Sequence, residues 1–339
     1  MMIEIDGSTG EGGGQVLRTS IALSAVTQQP VRIVKIRAGR TNPGLSQQHV
    51  TSIEAVAAIS DARVEGLCKG ASEIEFHPGA LLGGKHRFDI GTAGSIPLVV
   101  LGCLLPASLS KDTVDITITG GTDVKWSPPI DYIRDVHVPT AERFGVACST
   151  ELASRGFYPE GGGEVSVEIA SSGGLRGVNL RERGGLRRIR GIAYSQNLPD
   201  HVVSRIRHSA MRKLASVGEV KIASEVRRGH SKGAGIVLTA ECENSVIGQS
   251  ALGEKGVRAE MLGETCASDL LDTIASGAAV DEHMLDQMLP YMAVARGGSA
   301  VTAESLTAHA ETNMTVIGSF VDREFTVVEK GDVVEVALD

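Results

Sequence analysis

Residues 3–24 read IEIDGSTGEGGGQVLRTSIALS, a short alternating run followed by a glycine-rich segment and an apolar segment. The alternation over Met2–Asp6 predicts a β-strand, and the apolar periodicity over Gln15–Thr27 predicts an α-helix. The glycines of Gly7–Gly14 predict the loop between them. A second strand is predicted at Val31–Ile36. Strand and helix therefore alternate from the start of the chain, which indicates an α/β (α+β) fold class.

The same succession of elements continues beyond residue 45. Helices are predicted at Gln47–Ile59 and Ile96–Leu109, and strands at Ala62–Gly66, Glu73–Phe76 and Arg87–Ile90. The loop GSTG at residues 7–10 is echoed by GTAGS at 91–95, and EGGG occurs at both 11–14 and 160–163. Together these echoes predict two or three related βα units in the first 180 residues. Ordinary glycine turns account equally well for any single echo.

The composition excludes several classes of protein. The chain has 339 residues, a net charge of -8 and 3% aromatic residues. The negative charge argues against a protein that coats nucleic acid by charge alone, and the few aromatic residues argue against a wide base-stacking platform. The chain contains no long apolar run and no basic signal segment, so we expect a cytoplasmic protein without a membrane partner. Its five cysteines occur singly, which indicates neither a disulfide framework nor a zinc site.

A basic segment interrupts the acidic chain. Residues 176–232 contain fourteen basic and four acidic residues, a net charge of +10 within a chain of -8. This contrast predicts a separate module. Arg205, His208 and Arg212 fall on one side of a predicted helix there and form a candidate phosphate-binding patch, although a solvated helix face is the more common explanation. We predict a large domain at 1–182 plus 278–339 and a small α/β insert at 183–277.

The glycine-rich loop and the residues that follow it are candidates for anion binding. Backbone N–H groups at a helix N-terminus favour phosphate, although the loop matches neither a Walker A motif nor GxGxxG. Glu11 would repel phosphate inside such a loop unless it binds a metal ion or a sugar hydroxyl, so it points to a nucleotide with Mg²⁺ or Mn²⁺. Arg18 on the helix, and Arg37 and Arg40 in the next loop, can hold phosphate oxygens.

A histidine near the C-terminus is a candidate catalytic group. His309 lies in HAETN at residues 309–313, near a predicted helix start, and can act as a general base or as a nucleophile toward phosphorus. Asp286 and Glu282 on the preceding helix could orient it or bind metal. A structural or solvated histidine is the more common case for one such residue taken alone.

Taken together, these stretches resemble the RNA 3'-terminal phosphate cyclases. The resemblance spans nearly the whole chain and rests on eight stretches in family order. They are IEIDGSTGEGGGQVLRTSIALS, IRAGRTNPGLSQQH, FDIGTAGSIPLVV, GGTDVKWSPPIDYI, RGFYPEGGGEV, GEKGVRAE, LDQMLPYMA and HAETN. It implies a large domain of repeated βαβαββ units interrupted by a small α/β insert. It also implies an ATP-dependent enzyme that turns an RNA 3'-terminal phosphate into a 2',3'-cyclic phosphodiester.

The resemblance further implies a chemistry similar to that of nucleic acid ligases. His309 would attack the α-phosphorus of ATP to form a histidine-AMP intermediate, the AMP would pass to the RNA 3'-phosphate, and the 2'-hydroxyl would close the ring. Glu11 would be the metal ligand for Mg²⁺ or Mn²⁺. The residues that would bind ATP and the terminal phosphate are Arg18, Arg37, Arg40, Gln48, Pro129, His283, Asp286 and Gln287.

The chain departs from the family pattern at three places. Leu101-Gly102 stands where bacterial members carry a glutamine, Gln249-Ser250 stands where an aromatic residue can stack on adenine, and His283 stands where many members have tyrosine. These departures concern nucleotide preference more than reaction type.

Two other functions compete with the cyclase hypothesis. A cyclase-like branch acts in ribosome assembly without catalysis, but it lacks the nucleophilic histidine that His309 supplies here. An enolpyruvyl-type transferase would share the repeat unit, but its phosphoenolpyruvate-binding motifs are absent from the sequence. The physiological RNA, the preferred metal and the oligomeric state stay open.

Overall fold

A computed structural model describes residues 2–339. Most of the chain consists of three copies of one βαβαββ unit, each with a four-stranded sheet. In every unit the first two strands pair in parallel, the second pairs antiparallel with the fourth, and the fourth pairs antiparallel with the third. The predicted fold class, an α/β (α+β) chain of repeated units, is confirmed.

The first two units lie within the first 180 residues, as the glycine echoes predict. The first comprises β1 (Ile3–Asp6), α1 (Gly14–Thr27), β2 (Val31–Val34), α2 (Gln47–Ile59), β3 (Arg63–Glu65) and β4 (Ile74–His77). The second comprises β5 (Gly84–Asp89), α3 (Ile96–Ser108), β6 (Val114–Gly120), α4 (Ile130–Tyr132), a π-helical turn (Ile133–His137), α5 (Val138–Glu142), β7 (Ala147–Ser154) and β8 (Gly163–Ala170).

The third unit is split by an inserted sheet. It begins with β9 (Asn179–Leu180), after which the insert forms β10 (Leu186–Gln196), α6 (His201–Lys213), β11 (Val220–Arg227), β12 (Gly233–Cys242), β13 (Val246–Leu252) and α7 (Ala259–Ser276). The unit then resumes with α8 (Glu282–Val294), β14 (Ser299–Ala303), α9 (Ala308–Gly318), β15 (Phe325–Lys330) and β16 (Val333–Leu338). The sheet order in the insert is β11-β10-β12-β13.

Separate apolar cores hold the repeats and the insert. One cluster joins the inward faces of the three units, and a second lies between the insert sheet and its two helices. A smaller cluster, which includes Tyr132, Phe157 and Tyr194, joins the second unit to the insert. The proposed boundaries at residues 183 and 277 stay a prediction. No helix within residues 2–339 combines the length and the apolar character that crossing a membrane requires.

Two sequence expectations need correction. The strand predicted at Val31–Ile36 ends at Val34, because Lys35 and Arg37 adopt φ angles of 50° and 52°, which extended strands do not allow. The patch on α6 is largely neutralised, since Arg205 pairs with Glu260 at 2.6 Å and Arg212 pairs with Glu264 at 2.6 Å. This helix face therefore binds the acidic side of α7 and does not offer a row of free cations.

Candidate active site

The glycine-rich loop before α1 meets the first turn of α9. Thr307 caps α9 by accepting a hydrogen bond from Ala310 N at 2.9 Å, which places His309 in the first turn. The Nε2 atom of His309 lies 3.1 Å from Oε2 of Glu11. Both side chains are about half exposed, at 44% and 41%. The two residues that the sequence suggested independently therefore form one close pair that a ligand in solvent can reach.

A glycine allows this close approach of loop and helix. Gly10 has a φ of 57°, and a Cβ atom built on it would lie 3.1 Å from the Cβ of Thr312 and closer still to its hydroxyl. A side chain here would therefore be strained in the backbone and would collide with α9. Gly10 thus sets how near Glu11 comes to His309.

A buried polar contact holds α1, α8 and α9 together beneath this pair. Thr19 Oγ1 donates to Asn313 Oδ1 at 2.7 Å, and Asn313 Nδ2 donates to the backbone oxygen of Asp286 at 2.9 Å. All these groups are buried, so an unpaired one would incur a desolvation penalty. Asn313 therefore positions the helix that carries His309.

The loop between β2 and α2 brings two arginines to the same place. Arg40 Nη2 donates to the backbone oxygen of Glu11 at 2.9 Å and lies 4.0 Å from the Glu11 carboxylate. Arg37 donates to the backbone oxygen of Gly44 at 2.8 Å. Its left-handed backbone is unusual for a residue with a side chain. Burial, followed by the charge of Arg40, lowers the pKa of Arg37.

Arg18 lies on α1, about one turn after the glycine-rich loop. Its Nη2 atom donates to Gln15 Oε1 at 2.6 Å, and within residues 2–339 it has no ion pair with a carboxylate. Burial lowers the pKa of Arg18 to about 10, so the guanidinium stays charged at neutral pH. A partly buried cation with no carboxylate partner favours an anionic ligand.

His49 adds a further hydrogen-bond donor to the arginines at the N-terminus of α1. Its Nδ1 atom accepts from Ser46 N at 3.1 Å, and this hydrogen-bond pattern assigns the proton of the neutral ring to Nε2. Nε2 lies 2.6 Å from where a Cβ on Gly14 would be. Burial, and then the charges of Arg18 and Arg37, lower the pKa of His49 to about 3. A neutral N–H donor therefore joins the arginines around the helix N-terminus.

Three further predicted residues occupy three different places. Gln48 Oε1 accepts from the backbone N–H of Ser95, which caps α3. Pro129 lines a second cavity of about 320 Å³ between the β6–α4 segment and β13. Gln287 lines a small cavity of about 30 Å³ together with Arg18 and the buried His137. That volume has room for one or two water molecules.

The acids of α8 act on the start of α9. Asp286, which is 3% exposed, accepts from Thr307 Oγ1 at 2.5 Å, and Glu282 accepts from Ser305 Oγ at 2.6 Å. Both carboxylates bond to the segment before His309, so the hypothesis that they orient this residue, through the start of α9, stays a prediction. Burial raises the pKa of Asp286 to about 7, against the hydrogen bond from Thr307 and the nearby exposed His283, which both lower it.

Sequence reasoning missed His49 and did not assign a role to Asn313. His49 closes the stretch IRAGRTNPGLSQQH, three residues after the helix cap Ser46, and this spacing could have drawn attention to it. Asn313 belongs to HAETN, but its partners Thr19 and Asp286 lie in distant parts of the chain. Only the folded structure identifies its contacts.

Known proteins resemble this chain over nearly its whole length. Residues 9–327 match the family model described as RNA 3'-terminal phosphate cyclase. A protein of that name from Archaeoglobus fulgidus is 45% identical over 323 residues, which cover 95% of this chain and 96% of the relative. One from Pyrococcus furiosus is 45% identical over 338 residues and covers 98% of each chain. One from Nitrosospira multiformis is 42% identical, with 99% of this chain and 96% of the relative covered.

Proposed function

The chain belongs to the RNA 3'-terminal phosphate cyclase family, and from this membership we propose an ATP-dependent reaction at the Glu11–His309 pair. The substrate is RNA with a 3'-terminal phosphate, and the products are a 2',3'-cyclic phosphodiester, AMP and pyrophosphate. The observation that carries the proposal is the 3.1 Å approach of His309 Nε2 to Glu11, next to Arg40 and near Arg18 and Arg37. Because the reaction consumes ATP and RNA ends, we propose that it takes place in the cytoplasm.

The first step forms a covalent nucleotide on the protein. The Nε2 lone pair of His309 attacks the α-phosphorus of ATP, the bond to the bridging oxygen breaks, and pyrophosphate leaves. The attacking form of His309 has its lone pair on Nε2. In this scheme Glu11 Oε2, 3.1 Å away, takes any proton from Nε2 before the lone pair attacks.

Two transfers follow. An oxygen of the RNA 3'-phosphate attacks the phosphorus of the histidine-bound AMP, and the phosphorus–nitrogen bond breaks to free the imidazole. The adjacent ribose 2'-hydroxyl then attacks the 3'-phosphorus, loses its proton and displaces AMP. Adenylation is needed because a terminal phosphate monoester has no good leaving group.

The cations around α1 bind the phosphates in this scheme. Arg18, Arg37 and Arg40 supply positive charge and paired donors, while the neutral His49 supplies an N–H group. The side-chain amides of Gln48 and Gln287 add further polar contacts near this cluster. His283 and Asp286 belong to the same binding region, with Asp286 acting through Thr307.

A divalent metal ion fits Glu11. Mg²⁺ and Mn²⁺ are commonly held by one or two carboxylates together with substrate phosphates, and Glu11 is a half-exposed carboxylate in the phosphate-binding loop. When bound, such an ion would neutralise charge on the triphosphate. The ATP base would lie in the cavity that Pro129 lines, between the second unit and β13.

Label transfer from ATP tests the nucleophile. Incubation of the purified protein with α-labelled ATP and Mg²⁺ or Mn²⁺ should give an acid-labile protein-AMP band, which RNA with a 3'-phosphate discharges. His309→Ala should abolish the band and leave the circular dichroism spectrum unchanged, because the side chain is half exposed. His208→Ala, at an exposed histidine on α6, is the matched control and should label normally.

Normal labelling of the His309→Ala protein would contradict the assignment. No band with either metal, from a folded wild-type protein that still binds RNA, would instead favour the non-catalytic, RNA-binding branch.

A further inference from the structure

The cavity that Pro129 lines has one aromatic wall. Trp126, in the loop between β6 and α4, supplies a large flat ring to this cavity of about 320 Å³. The facing wall consists of Ser250, Leu252 and Glu254, which lie on β13 or just after it. A volume of this size is at the lower end of the range for small-molecule pockets. The cavity can therefore hold one nucleoside.

The tryptophan ring stands in solvent at this cavity. Trp126 is 95% exposed, although an indole ring is among the largest apolar groups that a protein can bury. Its φ of 61° is a left-handed conformation that residues with side chains seldom adopt. Neither feature stabilises the core, so together they point to a function in binding.

The loop that carries the ring is held on two sides. Ile130 N donates to Thr122 O at 3.0 Å and closes the loop over residues 123–129. Lys125 Nζ lies 2.9 Å from Glu254 Oε1, which ties the loop to the segment after β13 in the insert. Because the loop is already ordered, less binding free energy is lost when a ligand meets the ring.

Hydrogen bonds join this loop to the phosphate-binding residues. Ser127, which also lines the cavity, is hydrogen-bonded through its Oγ to Oγ of Ser95. Ser95 N donates to Gln48 Oε1 at 2.7 Å, and Gln48 directly precedes His49 in α2. The cavity is therefore connected to the cations at the N-terminus of α1. A nucleotide whose phosphates meet those cations needs a place for its base on this side.

A flat ring beside polar groups matches the chemistry of a nucleobase. Aromatic side chains stack on the faces of bases, and a purine offers a larger face than a pyrimidine. Lys125 supplies hydrogen-bond donors and Glu254 supplies acceptors at the rim of the cavity, where the edge of a base needs both.

We propose that Trp126 stacks on the base of ATP and makes the site prefer purine over pyrimidine nucleotides. This inference deepens the proposed function and rests on it for the choice of ATP as the ligand. The ring contacts the base and not the reacting phosphorus. It therefore controls nucleotide affinity and leaves the rate at saturating ATP unchanged.

The fluorescence of the chain's single tryptophan tests the stacking directly. With excitation at the long-wavelength edge of the indole band, titration of the wild-type protein with AMP should quench the emission until it saturates. AMP has no pyrophosphate to lose, so no adenylation accompanies this binding. Inorganic tripolyphosphate carries the phosphates of ATP without a base and should leave the emission unchanged. No change with AMP, or an equal change with tripolyphosphate, would overturn the proposal.

Single-stranded RNA that ends in a 3'-hydroxyl tests a competing occupant. We expect this RNA to leave the emission of Trp126 unchanged and to leave the AMP titration as it is without RNA. Quenching by the RNA that AMP does not reverse would show that the ring faces an RNA base, and would overturn the proposal.

Variants separate nucleotide affinity from reaction rate. Trp126→Ala should raise the ATP concentration for half-maximal adenylation about tenfold, with the maximal rate unchanged. Trp126→Phe, which keeps an aromatic ring, should restore most of that loss. Tyr158→Ala is the matched control, because Tyr158 is also exposed, at 76%, but does not line the cavity. Unchanged ATP dependence in Trp126→Ala, or an equal increase in Tyr158→Ala, would contradict the stacking.

Inhibition of adenylation by AMP and by CMP measures the preference for purines. AMP should inhibit the wild-type protein at lower concentration than CMP, and this ratio should fall several-fold in Trp126→Ala. The same ratio in the variant and the wild type would refute the role of Trp126 in base preference.

The two proposals fail in different ways. A wild-type protein whose emission AMP quenches, but which forms no AMP band with ATP and metal, would retain the stacking and refute the proposed function. A Trp126→Ala protein that forms the band with the ATP dependence of the wild type would retain the proposed function and refute the stacking.

Discussion

The carboxyl group of Asp286 is buried where α8 meets α9, and burial raises its pKa from 3.8 to about 7. The folded protein therefore holds a proton that the unfolded chain has released between about pH 4 and pH 7. Stability should fall as the pH rises through this window and should not change further above it. In Asp286→Asn, whose amide oxygen can still accept from Thr307, this contribution of about 1 kcal/mol per pH unit should disappear.

Urea unfolding at several pH values measures this effect. Asp322→Asn is the control, because Asp322 is exposed and its replacement should leave the pH dependence of the unfolding free energy as in the wild type. The same pH slope in Asp286→Asn and wild type would show that Asp286 is not the group responsible.

At the scale of elements, the contact between the glycine-rich loop and α9 sets the geometry of the site. Gly10→Ala introduces a side chain at a φ of 57° and against Thr312, so the loop must shift away from the helix. We expect a loss of about 1–3 kcal/mol in unfolding free energy and at least a tenfold slower formation of histidine-AMP. Stopped-time label transfer from ATP measures the rate.

Gly39→Ala is the matched control for that substitution. Gly39 lies in the neighbouring arginine-containing loop, and a Cβ built on it meets nothing within 4 Å. This variant should keep both its stability and its adenylation rate. An unimpaired Gly10→Ala protein would mean that the loop position does not govern the reaction.

At the scale of the whole molecule, Arg155 joins the repeats to the insert. Its side chain is 1% exposed and lies 2.7 Å from Asp131 in α4 and 2.7 Å from Glu225 in β11. Its guanidinium also lies 3.7 Å from the ring centroid of Tyr194 in β10. Arg155→Met leaves the buried Asp123 without a cation, while Asp131 and Glu225 keep Arg134 and Arg227. The uncompensated buried charge should lower the unfolding free energy by about 3–5 kcal/mol.

Denaturant unfolding followed by circular dichroism measures that loss. Arg188→Met removes an arginine that is 46% exposed and pairs with Glu241, so it should cost less than about 1 kcal/mol. An equal decrease in unfolding free energy in the two variants would show that the buried Arg155 cluster does not help to hold the repeats and the insert together.

The sequence predicted most elements closely because their causes are local. The helix expected at Gln15–Thr27 begins one residue earlier, at Gly14, and the helix expected at Ile96–Leu109 ends one residue earlier, at Ser108. The end of β2 was misjudged because the left-handed backbone of Lys35 and Arg37 leaves no mark in apolar periodicity. The third repeat escaped detection because the insert separates β9 from the rest of its sheet.

From the sequence alone one can infer the α/β repeat, the basic segment and the chemical types of the candidate site residues. These depend on periodicity, composition and side-chain chemistry, which act over a few neighbouring positions. The folded structure was needed to show what those residues meet: Glu11 meets His309 and Arg40, and Asp286 meets Thr307. Such contacts join distant parts of the chain, and they arise from the packing of whole helices and sheets, which no local pattern encodes.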